Sequence, residues 1–213
     1  VIARRVLLAF ALLAAPPLHA APGPKEAGRY RLTGVQDAAS ELELTGDGHF
    51  RYYLIYGALD EMAEGVWRRE GKRILLTTQP APVPPKFILK SAATGAEGEL
   101  SVAVTGPDGQ GIAGVDVQLH FDDQTVVNGY TQEEGWRSDI PKGRKPTLVT
   151  LSIPMFGVRS PDFSVPADAY ALQFLLEPND MGTPDFRDLP LEQGQDGVEM
   201  LRDGARLRYE RVK

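Results

Sequence analysis

The chain has 213 residues, no cysteine, and 29 acidic against 23 basic residues, a formal charge of −6. The acidic balance argues against nucleic acid or an anionic membrane as partner, and without cysteine neither disulfides nor a lipid-modified cysteine are possible. An apolar fraction of 42% with 24% charged residues is ordinary for a globular chain, and at this length a core alone can stabilise the fold.

Residues 1–20 read as a secretory signal peptide. Arg4 and Arg5 form a positive start, Val6–Ala15 an unbroken apolar run, and Pro16-Pro17 ends it before Leu18-His19-Ala20. The run is too short for a stable membrane anchor, so the expectation is cleavage after Ala20 and no membrane insertion afterwards; an uncleaved anchor is the alternative. Losing Arg4 and Arg5 takes the basic residues from 23 to 21 and the charge from −6 to −8. The expected location is periplasmic or secreted.

Arg29–Thr33 predicts a first strand with Tyr30 and Leu32 inward, and Val35–Ser40 a turn or short helical piece. From Ala39 to Thr78 the pattern is that of an antiparallel meander. Leu42 and Leu44 alternate with Glu41, Glu43 and Thr45, the period of a half-buried strand. Gly46-Asp47-Gly48 supplies a hairpin turn, and Phe50, Tyr52, Leu54 and Tyr56 form the inward set of the returning strand. Ala58–Glu64 has helical propensity and predicts a long hairpin loop holding one turn of helix. Gly65–Arg69, carrying Trp67, and Ile74–Thr78 complete the meander.

Gln79–Lys86 has four prolines in eight residues, which rules out a central strand and predicts an extended connector. Phe87–Leu89 resumes a strand, and Ser91–Gly98 is a boundary candidate. A second unit starts at Glu99. Leu100, Val102 and Val104 alternate, a Gly-rich corner follows at Gly106–Gly114, and Val115, Val117, Leu119 and Phe121 alternate again. Tyr130-Thr131 then leads through Gly135-Trp136 to Ile140-Pro141. This order of V-x-V, D-G-x-G-I-x-G-V-x-V, Y-T-x-x-x-G-W and I-P resembles the transthyretin-like or carboxypeptidase regulatory-like sandwich. The resemblance covers Glu99–Pro141 and implies a small accessory β-sandwich with no activity of its own. The C-terminal YERVK does not supply the tail of that fold's hydrolase branch, so no catalytic residue is carried over.

Thr147–Met155 and Tyr170–Leu176 predict further strands, Glu177–Arg187 an acidic loop, Leu189–Glu192 a short strand, and Val198–Leu201 with Arg206–Val212 a final hairpin. The last strand mirrors the first, each mixing an aromatic and a leucine with arginines. Pairing the two would close a barrel and remove its edges. The N-terminal pattern also resembles lipocalin-like barrels of exported bacterial proteins. The expected fold is all-β: an antiparallel lipocalin-like barrel from residues 28–90 and 168–213, with a sandwich at 98–165 inserted. Tandem sandwiches are the alternative.

Chemistry is sparse. His49 lies in a turn and His120 in a strand, and with no cysteine neither suggests a zinc site. No nucleophile elbow, P-loop, dinucleotide fingerprint or EF-hand is present. Asp122-Asp123 and Glu133-Glu134 are acidic turns, and Asp180, Asp185 and Asp188 share a loop without a calcium-binding spacing. No metal and no cofactor is expected. The candidate ligand-binding residues are Phe50, Tyr52, Tyr56 and Trp67, on neighbouring strands; either they fill a barrel core or they line a cavity. The functional expectation is a non-enzymatic binding or interaction protein, its partner a small apolar ligand or an envelope protein. The alternatives are an envelope-directed hydrolase using paired carboxylates and a structural accessory module.

Overall fold

The computed structural model describes residues 24–93, 98–141, 143–166 and 169–213; the expected signal peptide at 1–20 lies outside them. In chain order the strands are β1 (Gly28–Thr33), β2 (Ala38–Leu44), β3 (His49–Tyr56), β4 (Leu59–Glu70), β5 (Arg73–Thr78), β6 (Lys86–Ala93), β7 (Glu99–Thr105), β8 (Asp116–Phe121) and β9 (Val126–Tyr130). They continue with β10 (Trp136–Asp139), β11 (Pro146–Ile153), β12 (Val158–Arg159), β13 (Phe163–Ser164), β14 (Ala171–Glu177), β15 (Leu189–Gln193), β16 (Gly197–Arg202) and β17 (Ala205–Arg211). The fold is all-β. Eight strands close an antiparallel barrel in the order β1-β17-β16-β15-β5-β4-β3-β2. Apart from the insertion between β5 and β15, every strand neighbours the next in sequence.

Closure is made by the first and last strands of the described residues. Tyr30, Arg31, Leu32 and Thr33 stand opposite Arg211, Glu210, Tyr209 and Arg208. The alternation that marked these strands then sorts their side chains. Tyr30, Leu42, Leu44, Phe50, Tyr52, Trp67, Ile74, Leu76, Val198, Met200 and Tyr209 share one buried core, while Arg29, Arg31, Glu41 and Glu43 stay on the outer wall, linked at Arg29–Glu41 and Arg31–Glu41.

Two expectations are corrected. Ala58–Glu64 is not a loop with a helical turn. The reversal takes only Gly57-Ala58, Gly57 having a left-handed φ of 60°, and Leu59–Glu64 is the first half of the twelve-residue β4. Its alternation is real but uses Glu61 and Ala63 as inward residues, so it does not read as apolar. Second, Phe87–Leu89 and Tyr170–Leu176 do not belong to the barrel. β6 and β14 pair with each other, and β14 pairs in parallel with β7, giving a sheet in the order β10-β7-β14-β6. The proline connector carries the chain out of the barrel before β6 begins. β14 then serves as an inner strand of the second unit, with Leu172, Phe174 and Leu176 in its core.

That sheet faces a second one, β12-β11-β8-β9, with β13 also on β11. Val102, Val104, Leu172 and Phe174 from one sheet and Val117, Leu119, Val149 and Leu151 from the other make a single core, which is a β-sandwich. At one corner Trp136 of β10 lies against Gly129 of β9, where a Cβ would collide with the indole.

Candidate functional site

The insertion shapes one end of the barrel. β5 and β15 are short: Thr78 reaches only as far as Gly65 on β4, and Leu189 starts opposite Leu76. The first half of β4 and the end of β16 therefore have no barrel strand between them. The loop joining β14 to β15 fills this gap. Gly182 accepts from the Met62 amide at 3.0 Å and Phe186 from the Thr78 amide at 2.9 Å. The Thr78 hydroxyl accepts from the Phe186 amide at 3.0 Å and donates to the Pro184 carbonyl at 2.8 Å. So held, Phe186 turns its ring into the barrel, edge-on to Tyr52 at 5.2 Å and tilted on Phe50 at 6.1 Å.

A polar network spans the gap above Phe186. Arg202, at the end of β16, gives both arms to the Glu61 carboxylate, with Nη2 at 2.6 Å from Oε1. It also donates to the Tyr52 hydroxyl at 3.2 Å and covers the Phe186 ring at 5.7 Å. The Tyr209 hydroxyl lies 2.8 Å from that of Ser40, which donates to the Tyr53 carbonyl. Both ends of the pair are largely buried. Burial, and then the neighbouring tyrosine, push the Tyr52 phenol well above its ordinary range. Burial raises Tyr209 as well. The bonds it donates to Glu61 hold the Arg202 guanidinium firmly charged.

The mouth of the barrel opens above this network. A cleft of about 710 Å³ is bounded by Leu32, Leu54, Tyr56, Leu59 and Leu207, with Glu61 and Arg202 at its floor. Its far wall comes from the sandwich: the 3₁₀ turn Pro154–Phe156, ended by Gly157 in a left-handed conformation. Val35, Tyr56 and Met155 are exposed in it, and Ile55 and Leu201 stand exposed one residue from Tyr56 and Arg202. Apolar side chains left in water thus gather at this end of the barrel.

Of the four aromatic candidates, three sit together in the core: Phe50 is 1% exposed, Tyr52 3% and Trp67 7%. With Phe186 against two of them they form packing. Tyr56 continues the inward face of β3 but lies beyond the packed layer, 55% exposed at the cleft. Glu61, Arg202 and Phe186 were not anticipated. Glu61 was hidden in a stretch with helical propensity and Phe186 in an acidic loop. The one signal available was the i, i+2 placement of Glu61 and Ala63 in phase with Trp67.

The other candidate groups are apart. Asp180 accepts from the Val83 amide, Asp185 pairs with Arg187, and Asp188 with Thr77 and Arg68. Among the described residues, no three His, Cys, Asp or Glu side chains come together as a metal site. Asp122, Asp123, Glu133 and Glu134 are exposed. Among the same residues no helix is long and apolar enough to cross a membrane. Comparison with protein-family models, with curated proteins and with solved structures finds no match.

Proposed function

We propose that the chain is an exported, non-enzymatic binding protein of the bacterial periplasm or cell surface that holds a small apolar ligand at the barrel mouth. The observation that carries this reading is the mouth cleft, walled by leucines and Tyr56 over a neutralised Glu61–Arg202 pair. Its volume is within the range of small-molecule sites, about 300–1,000 Å³. Because the charged groups of its lining are all paired, Glu61 and Asp203 with Arg202 and Arg206 with Glu199, the cleft suits an uncharged ligand with at most a neutral polar tip. The likenesses to lipocalin-like barrels and to regulatory-like sandwiches point the same way, toward binding modules. The export signature at Arg4–Ala20 supports the location. Glu61 does not suit a general base, since both its oxygens are occupied by Arg202.

The test is native mass spectrometry of protein taken from its own cells, joined to displacement of an apolar fluorescent probe. A co-purified apolar molecule, or a probe whose binding is lost in Tyr56→Ser, is the expected result. Absence of both overturns the ligand. A second reading is favoured by the packed interior, which leaves only the rim free. In that case an apolar side chain of an envelope protein docks there, and cross-linking from position 56 in cells would capture it.

A further inference from the structure

The barrel has no free edge, but the sandwich has, and its edges differ. β6 carries Lys86 and Lys90 along its length, β10 has Arg137 and Asp139, and β12 and β13 are two residues each. Charge and shortness are the usual protections of an edge. β9, VVNGY, has neither charge nor proline. Val126 is 43% exposed and Tyr130 60%.

The hydrogen-bond phase of β9 is fixed by its ends. The Phe121 amide donates to the Thr125 carbonyl and the Thr131 amide to the Val115 carbonyl. Odd-numbered residues of β9 therefore turn their backbone groups to β8, and Val126, Asn128 and Tyr130 turn theirs to the open edge. The same three residues carry the exposed side chains, while Val127 packs on the core.

We propose that β9 pairs with β9 of a second copy, antiparallel, with the two-fold axis at Asn128. In that register Asn128 faces Asn128 and Val126 faces Tyr130 twice. All three are pairs in which both residues exchange their N–H and C=O groups. The edge complements itself. A β-branched residue against an aromatic is a favourable cross-strand pair, and no charge is brought near its like within the five residues. Outward of these, Thr125 faces Thr131 and Gln124 faces Gln132; the first charges met are acidic, Asp123 facing Glu133, with Arg144 at 2.9 Å from Asp123 to offset them. The two sheets join into one that runs through both molecules.

The chain lacks cysteine, so a thiol at Asn128→Cys is unique. Facing residues of such a pair have Cα atoms about 5.5 Å apart, within the disulfide range of about 4.4–6.8 Å. Sedimentation of the whole protein from micromolar to millimolar concentration should show twice the monomer mass at the upper end. Mild oxidation should link Asn128→Cys almost completely and Val127→Cys not at all. Asn128→Pro removes only an outward amide and should give a monomer with an unchanged melting curve. If that variant does not fold, Val126→Lys with Tyr130→Lys should separate the copies by like charge. A wild-type protein that stays monomeric throughout, or a dimer indifferent to these changes, overturns the proposal.

Discussion

Leu32 of β1 lies directly opposite Tyr209 of β17, so the first and last strands of the described chain are neighbours in one sheet. Tyr209 is fully buried among residues of β2 and β3, beside Ser40 and Tyr52. The N-terminal meander accordingly has no complete core without the C-terminal strand. Deleting residues 206–213 should unfold the barrel as a whole, not merely fray its last hairpin. With Trp136→Phe in the background, Trp67 is the only indole. Its emission should shift to that of a solvated tryptophan on truncation, since it now lies buried and bonded to the Thr45 carbonyl at 3.0 Å. A truncated chain that keeps a buried Trp67 signal would refute the shared core.

The Glu61–Arg202 pair should behave as a buried ion pair does. Removing one member leaves the other charge without its partner, so Glu61→Met should cost about 3 kcal/mol, measured by urea unfolding. Removing both is different. Glu61→Met with Arg202→Met deletes the charges together and replaces them with adaptable apolar side chains, so most of the loss should be recovered. A double variant as unstable as the single one would mean that the bonds to Tyr52 and the Phe186 ring matter more than the pair.

The fate of each sequence expectation follows from where its information lies. The inward faces were legible because strand alternation is local: Leu42, Leu44, Phe50, Tyr52 and Tyr209 point in as their period requires; closure was read from the likeness of the first and last strands and the need to remove their edges. The β4 extension was obscured because Glu61 is acidic and inward, a combination that makes sense only beside Arg202, 141 residues away. Phe186 was obscured for a similar reason. Its segment is proline-rich and acidic, and only the Thr78 bonds fold it into the barrel. The placement of β6 and β14 depended on pairing between segments about 80 residues apart, which no local pattern reports. Of the candidate site, only Tyr56 was read from sequence at the place where the cleft now stands.

Acid should weaken the end of the barrel opposite the mouth, where Glu26, Tyr30 and Gln193 line a second cavity. There Glu26 is buried, the Tyr30 hydroxyl donates to its carbonyl at 2.6 Å, and its carboxylate meets Gln193 at 3.2 Å and Arg69 at 3.3 Å. Burial alone would raise its pKa, but its own backbone amide, Gln193 and Arg69 together hold it below the ordinary 4.5. A carboxylate depressed in the fold contributes stability above the unfolded pKa and loses it as pH falls through the folded one. Wild-type protein should therefore exceed Glu26→Gln in urea midpoint at neutral pH, and the difference should begin to shrink as pH drops below about 4.5 and vanish once the folded carboxyl is protonated. A difference that persists unchanged into acid would show that the amide and the carboxylate do not differ through charge.

Phe186 is the side chain that closes the barrel interior, and its removal should both destabilise and open it. Phe186→Ala takes away the ring packed on Phe50 and Tyr52 and lying beneath Arg202. A Phe→Ala change in a core costs about 3–5 kcal/mol, the larger values where the surroundings do not collapse. Collapse is hindered here. The backbone at 186 is held to Thr78 from both its amide and its carbonyl, and the ion pair above it is fixed by Tyr52. The space left, with Phe50 and Tyr52 on one side and the Arg202 guanidinium on the other, should stay open and accept a benzene-sized probe. The expected outcome is a lower melting temperature that the probe partly restores in the variant and does not change in the wild type. This separates the interior from the mouth: a ligand of the mouth should still bind to Phe186→Ala and be lost in Tyr56→Ser, whereas a ligand that needs the interior would bind better once Phe186 is gone.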